Sequence, residues 1–182
     1  MNSRHYYLIA QLPDITSSGE KAAMPITEKY YRDLCSRFLS VEEMKVLNTL
    51  SLVPPRKESG SGSPFLNTWY EKERNLRFAL AQIRAQRMKK DFDQVPGSCT
   101  ADILQAARTA VGMDSPLSAE QFLYGYRLSV LNNIRSYDIF SIDAVYEYGI
   151  RLMLMLRMKK FNRETGTSSY HKIYDSILGE KI

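Results

Sequence analysis

The sequence predicts an all-α fold, a bundle of helices gathered around one long central helix. Three observations predict it. Apolar residues recur at helical spacing through most of the chain. Helix-start signals precede these stretches: Ser or Thr followed three residues later by Glu or Gln, or Pro at a first helical position. Strand-like alternation does not persist beyond the opening residues. The chain has 182 residues, 44% of them hydrophobic and 25% charged. That length supports a sizeable core without disulfides or metals, and we read residues 1–182 as a single helical domain.

The opening His5-Tyr-Tyr-Leu-Ile-Ala-Gln-Leu-Pro13 is short and apolar. Residues 5–12 fit either a short strand or a turn and a half of helix, and the pattern does not decide. Pro13 favours an extended Leu12 and closes the segment. Residues 14–24 are polar and read as a loop. Thr27 then caps a helix over Glu28–Leu39. Ser40-Val-Glu-Glu43 forms a capping box, in which each end of the motif satisfies the other's backbone N–H. The helix it starts carries Met44, Leu47 and Leu50 on one face, with Val53 at its edge, and Pro54-Pro55 ends it. Residues 56–63 are Gly/Ser-rich and predict a flexible loop between this small N-terminal helical unit and the main bundle.

The long helix is expected from about Ser63 to Asp93, with Pro64 suited to its first turn. Between Trp69 and Lys90 it holds seven basic residues (Lys72, Arg74, Arg77, Arg84, Arg87, Lys89, Lys90) and two acidic ones (Glu71, Glu73). The excess, seven minus two, equals the net charge of +5 of the whole chain. Trp69, Leu76, Leu80 and Ile83 share one face and predict the core side. Arg74, Arg77, Arg84 and Arg87 form a second, offset stripe. Glu73 and Arg77 are spaced as an i,i+4 pair, worth about 0.3–0.5 kcal/mol on an exposed face. Val95-Pro-Gly-Ser98 breaks the chain. Further helices are expected over Thr100–Ala110, from a second capping box at Ser118-Ala-Glu-Gln121 to Ser136, and over Ile142–Phe161. Gly166 is a plausible stop, and Ser168–Leu178 closes the bundle.

The chemistry in these residues points away from catalysis. Gly60-Ser-Gly62 is followed by no Gly-Lys-Ser/Thr and does not make a phosphate-binding loop. His5 and His171 have no Cys or second His at ligand spacing, so no catalytic, cofactor-binding or metal residues are expected. Cys35 and Cys99 form no framework and suit a reducing cytosol. No leader pattern is read at the start, and the apolar run Leu152–Leu156 is too short to span a bilayer. We therefore expect a cytoplasmic chain that is not an enzyme. The segment Tyr146–Phe161 is apolar nearly all round, which fits a helix buried among others or one lying on a membrane surface.

The Arg stripe has two readings. Arg makes planar, bidentate contacts, so Arg74, Arg77, Arg84 and Arg87 could dock acidic groups of a partner. The plainer reading is a solvated face with internal salt bridges, the commoner fate of helical charge runs. A nucleic-acid-binding use of the same face is the alternative function, with Trp69, Tyr70 and Phe78 as nearby aromatics.

Three passages carry a family resemblance. Tyr6-Tyr-Leu-Ile-Ala-Gln-Leu-Pro-Asp14, Trp69-Tyr-Glu-Lys-Glu-Arg-Asn-Leu-Arg-Phe-Ala-Leu-Ala-Gln-Ile-Arg-Ala-Gln-Arg87 and, more weakly, Leu152–Gly166 resemble an uncharacterised bacterial family associated with V-type (A/V-type) ATPase operons. That family is itself distantly similar to the ATPase C (or d) subunit, an all-helical funnel that seats the rotor stalk on the membrane ring. The resemblance implies a shortened C-like helical bundle. It implies a non-catalytic subunit or accessory component that docks on stalk or ring subunits. Such a protein sits peripheral to the inner membrane through its partners alone, and the Arg stripe would be its partner-binding surface.

Overall fold

The structure is a computed structural model that describes residues 3–15, 24–55, 62–91, 99–161 and 163–179. Among these it is all-helical, with α1 (Ser3–Gln11), α2 (Glu28–Ser36), α3 (Val41–Asn48), α4 (Pro64–Arg87), α5 (Ala101–Gly112), α6 (Pro116–Ile134), α7 (Ile142–Lys159) and α8 (Arg163–Gly179). The opening segment is therefore helix, with His5 and Leu8 turned inward. Most of the expected loop 56–63 and the Val95–Ser98 break lie outside the described residues.

Local chemistry accounts for most helix starts. Thr27 accepts from the Tyr30 N–H at 3.2 Å and caps α2. Ser40 and Glu43 form the reciprocal box that starts α3: the Ser40 N–H donates to Glu43 Oε2 at 2.7 Å, and the Glu43 N–H donates to Ser40 Oγ at 3.3 Å. Ser63 caps α4 by accepting from the Leu66 N–H at 3.1 Å, and Pro64 follows at a position that needs no N–H. The far end of α4 closes with Lys89 in the left-handed region (φ 51°) and the Lys90 N–H bonded to the Ala85 carbonyl. That is the six-to-one closure usually built on glycine.

Several expectations are corrected. The N-cap of α6 is Ser115, which accepts from the Ser118 N–H, with Pro116 in the first turn. The capping-box pattern at Ser118–Gln121 thus lies inside the helix. A Pro two residues upstream already has a helical φ, so the helix begins there. Helix α2 ends at Ser36, and Leu39 packs from the turn beyond it. Helix α3 ends at Asn48, well before Pro54, and Val53 is solvent-exposed. Helix α4 stops at Arg87 rather than near Asp93. Gly166 lies within α8 instead of stopping a helix.

The core has two parts. The larger joins α1, α2 and α3 to the first turns of α4 and to α6 and α7, through Leu8, Leu34, Leu47, Leu66, Trp69, Leu131 and Leu152. The smaller lies between the second half of α4, α5 and the first half of α6, through Leu76, Ala79, Leu80, Ile103, Ala107 and Leu123. Helix α4 contributes to both, and packs against α5, α6 and α7. The expected core face of α4 is correct: Trp69, Leu76 and Leu80 are buried, and Ile83 is half-buried.

At the junction of the two parts sits Glu73, only 2% exposed. Arg127 of α6 grips it with two bonds, Nε to Oε2 and Nη2 to Oε1, both 2.9 Å. Arg77 adds Nε to Oε1 at 2.8 Å and carries the chain of contacts outward to the Leu52 carbonyl at 3.1 Å. The Glu73–Arg77 pair is thus part of a three-residue cluster around a buried carboxylate, with Arg77 half-buried on its outer side. Two guanidiniums on one carboxylate satisfy its lone pairs and offset the cost of removing the charge from water.

Elsewhere, α7 meets α2 at Gly149. A Cβ built there would lie 2.8 Å from Tyr31 Oη and 3.0 Å from Leu50 Cδ1. Tyr31 cannot retreat freely, because its hydroxyl donates to the Val145 carbonyl at 2.7 Å.

Three stability outcomes are expected. Arg127→Ala leaves Glu73 buried with two of its three bonds to Arg127 and Arg77 removed and lowers stability by about 3–5 kcal/mol. The paired replacement Glu73→Leu with Arg127→Met recovers most of that loss. Gly149→Ala costs about 1–3 kcal/mol through overpacking against Tyr31. Urea unfolding followed by circular dichroism measures all three.

Candidate functional site

The basic residues of α4 divide into an inner and an outer group. Arg77 belongs to the cluster around the buried Glu73. Arg74 Nη2 donates to the Pro55 carbonyl at 3.3 Å, so Arg74 and Arg77 together hold the segment after α3 against α4. Arg87 donates to the Val111 carbonyl at the end of α5. Arg84 is exposed. Of the four Arg singled out as partner-binding, three therefore have intramolecular carbonyl partners. The outward-facing charge lies at the end of α4, where Arg84, Arg87, Lys89 and Lys90 are all exposed. Cations there also complement the negative end of the helix dipole.

The aromatics beside this stripe are mostly unavailable. Trp69 and Tyr70 are buried, and Tyr70 accepts from the Ser51 N–H at 3.3 Å. Phe78 is half-buried. A base-stacking platform on α4 would need these rings at the surface.

The titratable groups inside the body serve packing. His5 Nε2 donates to Glu43 Oε1 at 2.9 Å and ties α1 to α3. Burial raises the Glu43 carboxyl, but the Ser40 backbone and hydroxyl bonds and the His5 contact outweigh it and hold the pKa below the ordinary 4.5. Burial pushes the Cys35 thiol up to about 11, which leaves it protonated and unreactive at neutral pH. Tyr126 donates to Asp102 Oδ2 at 3.0 Å and joins α6 to α5. Among the described residues no three His, Cys, Asp or Glu side chains converge as metal ligands. Likewise, no described helix is long and apolar enough to cross a membrane.

A shallow pocket of about 360 Å³ opens between the end of α1, the end of α6 and the start of α7. Ile9, Leu12 and Ile139 give it apolar walls, and Arg135, Glu147 and Arg151 line its polar side. Arg151 is already engaged, donating to Glu147 Oε1 at 2.7 Å and to Asn132 Oδ1 at 2.8 Å.

Sequence reasoning did not find Arg127 as the partner of Glu73. The available signal was a lone Arg within the otherwise uncharged stretch Phe122–Ile134 of α6.

No protein-family model matches the chain, and no curated protein or solved structure is found to be similar to it.

The Glu43 environment sets an acid limb of stability. Its folded-state pKa is depressed, so its contribution is complete above the ordinary 4.5 of the unfolded chain. The contribution is then lost as pH falls through the folded value. Glu43→Gln should flatten the stability–pH curve below that range, read by thermal melts from pH 3 to pH 7.

Proposed function

We propose that this chain is a non-catalytic docking protein, a subunit or accessory component of a bacterial V-type ATPase that binds stalk or membrane-ring subunits. One observation carries the reading. Trp69–Arg87, one of the passages that carry the resemblance, makes up most of α4, the helix around which the body is assembled. The all-helical body and the absence of a phosphate-binding loop in the sequence agree with a part that seats other subunits and hydrolyses nothing.

The surface suited to an acidic partner is the exposed end of α4, Arg84 to Lys90, rather than the whole Arg stripe. Arg74 and Arg77 act indirectly, by keeping α4 rigid against the residues after α3. A rigid helix end loses little entropy when its cations are paired across an interface.

The test is a tagged pull-down from native membranes, with co-purifying proteins identified by mass spectrometry. Wild-type protein should recover ATPase stalk or ring subunits. The triple variant Arg84→Glu, Lys89→Glu, Lys90→Glu should recover them about tenfold less at unchanged helical content, because like charges then face each other. Recovery of no ATPase subunit by the wild type contradicts the reading. Equal recovery by wild type and variant removes the end of α4 as the docking surface.

A further inference from the structure

Helix α8 is the one described helix in which no side chain is recorded as buried or half-buried: from Gly166 to Gly179 every residue is exposed. Yet its apolar residues are patterned. Tyr170, Ile173, Tyr174, Ile177 and Leu178 recur at the i, i+3, i+4, i+7, i+8 spacing of a helix with one apolar face, each 48–63% exposed. Tyr170 and Tyr174 stack at 6.0 Å with an interplanar angle of 18°, forming a flat aromatic step. A helix of 17 residues with an internal Gly166 and several Ser is marginal in water without tertiary packing. Its apolar face therefore needs a cover.

Charge narrows what the cover is. Between Gly166 and Gly179 the formal charges are Lys172 and Asp175, which cancel. Helical wheel positions put both on the side away from the apolar stripe. A helix that lies on an anionic membrane carries a cationic polar face, and this one does not. Nor does it offer a charged rim to steer an acidic or basic partner. A neutral, charge-free seam is instead suited to a surface like itself.

We propose that α8 pairs with α8 of a second copy of this chain, antiparallel, about a two-fold axis near Ile173 and Tyr174. That register sets Tyr170 opposite Ile177 and Ile173 opposite Tyr174, so each ring meets an aliphatic side chain. The helix dipoles oppose, which favours the antiparallel sense. The starts of the two helices then lie about 32 Å apart along the axis, leaving room for both bodies. With about half of each of five large side chains available, the pair buries roughly 1,000–1,200 Å² in total, at the lower edge of specific interfaces. The expected dimer is isologous and assembles in the micromolar range. It stands apart from the α4 surface and does not depend on the ATPase reading.

Sedimentation equilibrium of the full chain tests this. From about 1 to 100 µM the mass should rise from the chain mass of 21.0 kDa toward twice that value. Ile173→Asp with Ile177→Asp should hold it at 21.0 kDa. The thermal transition of the body should stay unchanged, while far-UV helicity falls as α8 loosens. Lys172→Gln, on the back of the helix, should still dimerise. In a Cys99→Ser background, mixing chains carrying Tyr170→Cys with chains carrying Ile177→Cys should yield mixed disulfide dimers in preference to like-with-like pairs. A wild-type chain that stays monomeric at 100 µM, a double Asp variant that still dimerises, or cross-links that prefer like with like would each overturn the proposal.

Discussion

The buried carboxylate of Glu73 is the constraint on which the rest of the body depends. It lies where one apolar cluster ends and the other begins, on the helix that belongs to both. A lone carboxylate there would carry the full cost of leaving water with nothing to offset it. Arg127 and Arg77 satisfy its oxygens and fix three elements relative to one another: α4, α6 and the segment that follows α3. The geometry is directional. A guanidinium bound through two nitrogens sets the rotation of α6 on α4 as well as its distance. Apolar packing alone would allow the two helices to slide in register; the paired charges do not.

Around that fixed point the smaller contacts have clear tasks. Ser63 caps α4 and donates to Asp143 in the first turn of α7 at 2.6 Å, so the starts of the two helices are tied together. Gly149 lets α7 approach Tyr31 of α2 closely. Tyr148 stacks on Tyr31 and donates to the Pro13 carbonyl at 2.8 Å, which brings the end of α1 onto the same helix. Polar residues in this body thus act mostly as joints between helices, and the exposed basic residues of α4 lie at its end. The division explains how one helix can be a structural spine and an exposed cationic surface at once.

Much of this was legible in the sequence, because local signals dominate helix starts. Thr27, Ser40 with Glu43, and Pro64 each act within four residues, and the apolar spacing of Trp69, Leu76 and Leu80 marks the buried side of α4 directly. The all-α class follows from those signals. What was not legible depends on tertiary context. Arg127 lies 54 positions from Glu73. Nothing local distinguishes a basic residue aimed at a buried carboxylate from one aimed at water. For the same reason the four stripe Arg looked equivalent, although Arg74, Arg77 and Arg87 reach backbone carbonyls from other elements. Ser118 presented a better capping pattern than Ser115, and lost because Pro116 had already set the helical turn. Gly166 looked like a stop on propensity alone, and α8 runs through it.

The central claim is that the Glu73 cluster makes the two apolar clusters one cooperative unit. Native-state hydrogen exchange tests it most directly. The account predicts that the slowest amides of α4, α5, α6 and α7 exchange through a single opening, with one free energy and one denaturant dependence. If the amides of α5 and the second half of α4 open at distinctly lower free energy than those of α7, the two clusters are independent and the claim is contradicted.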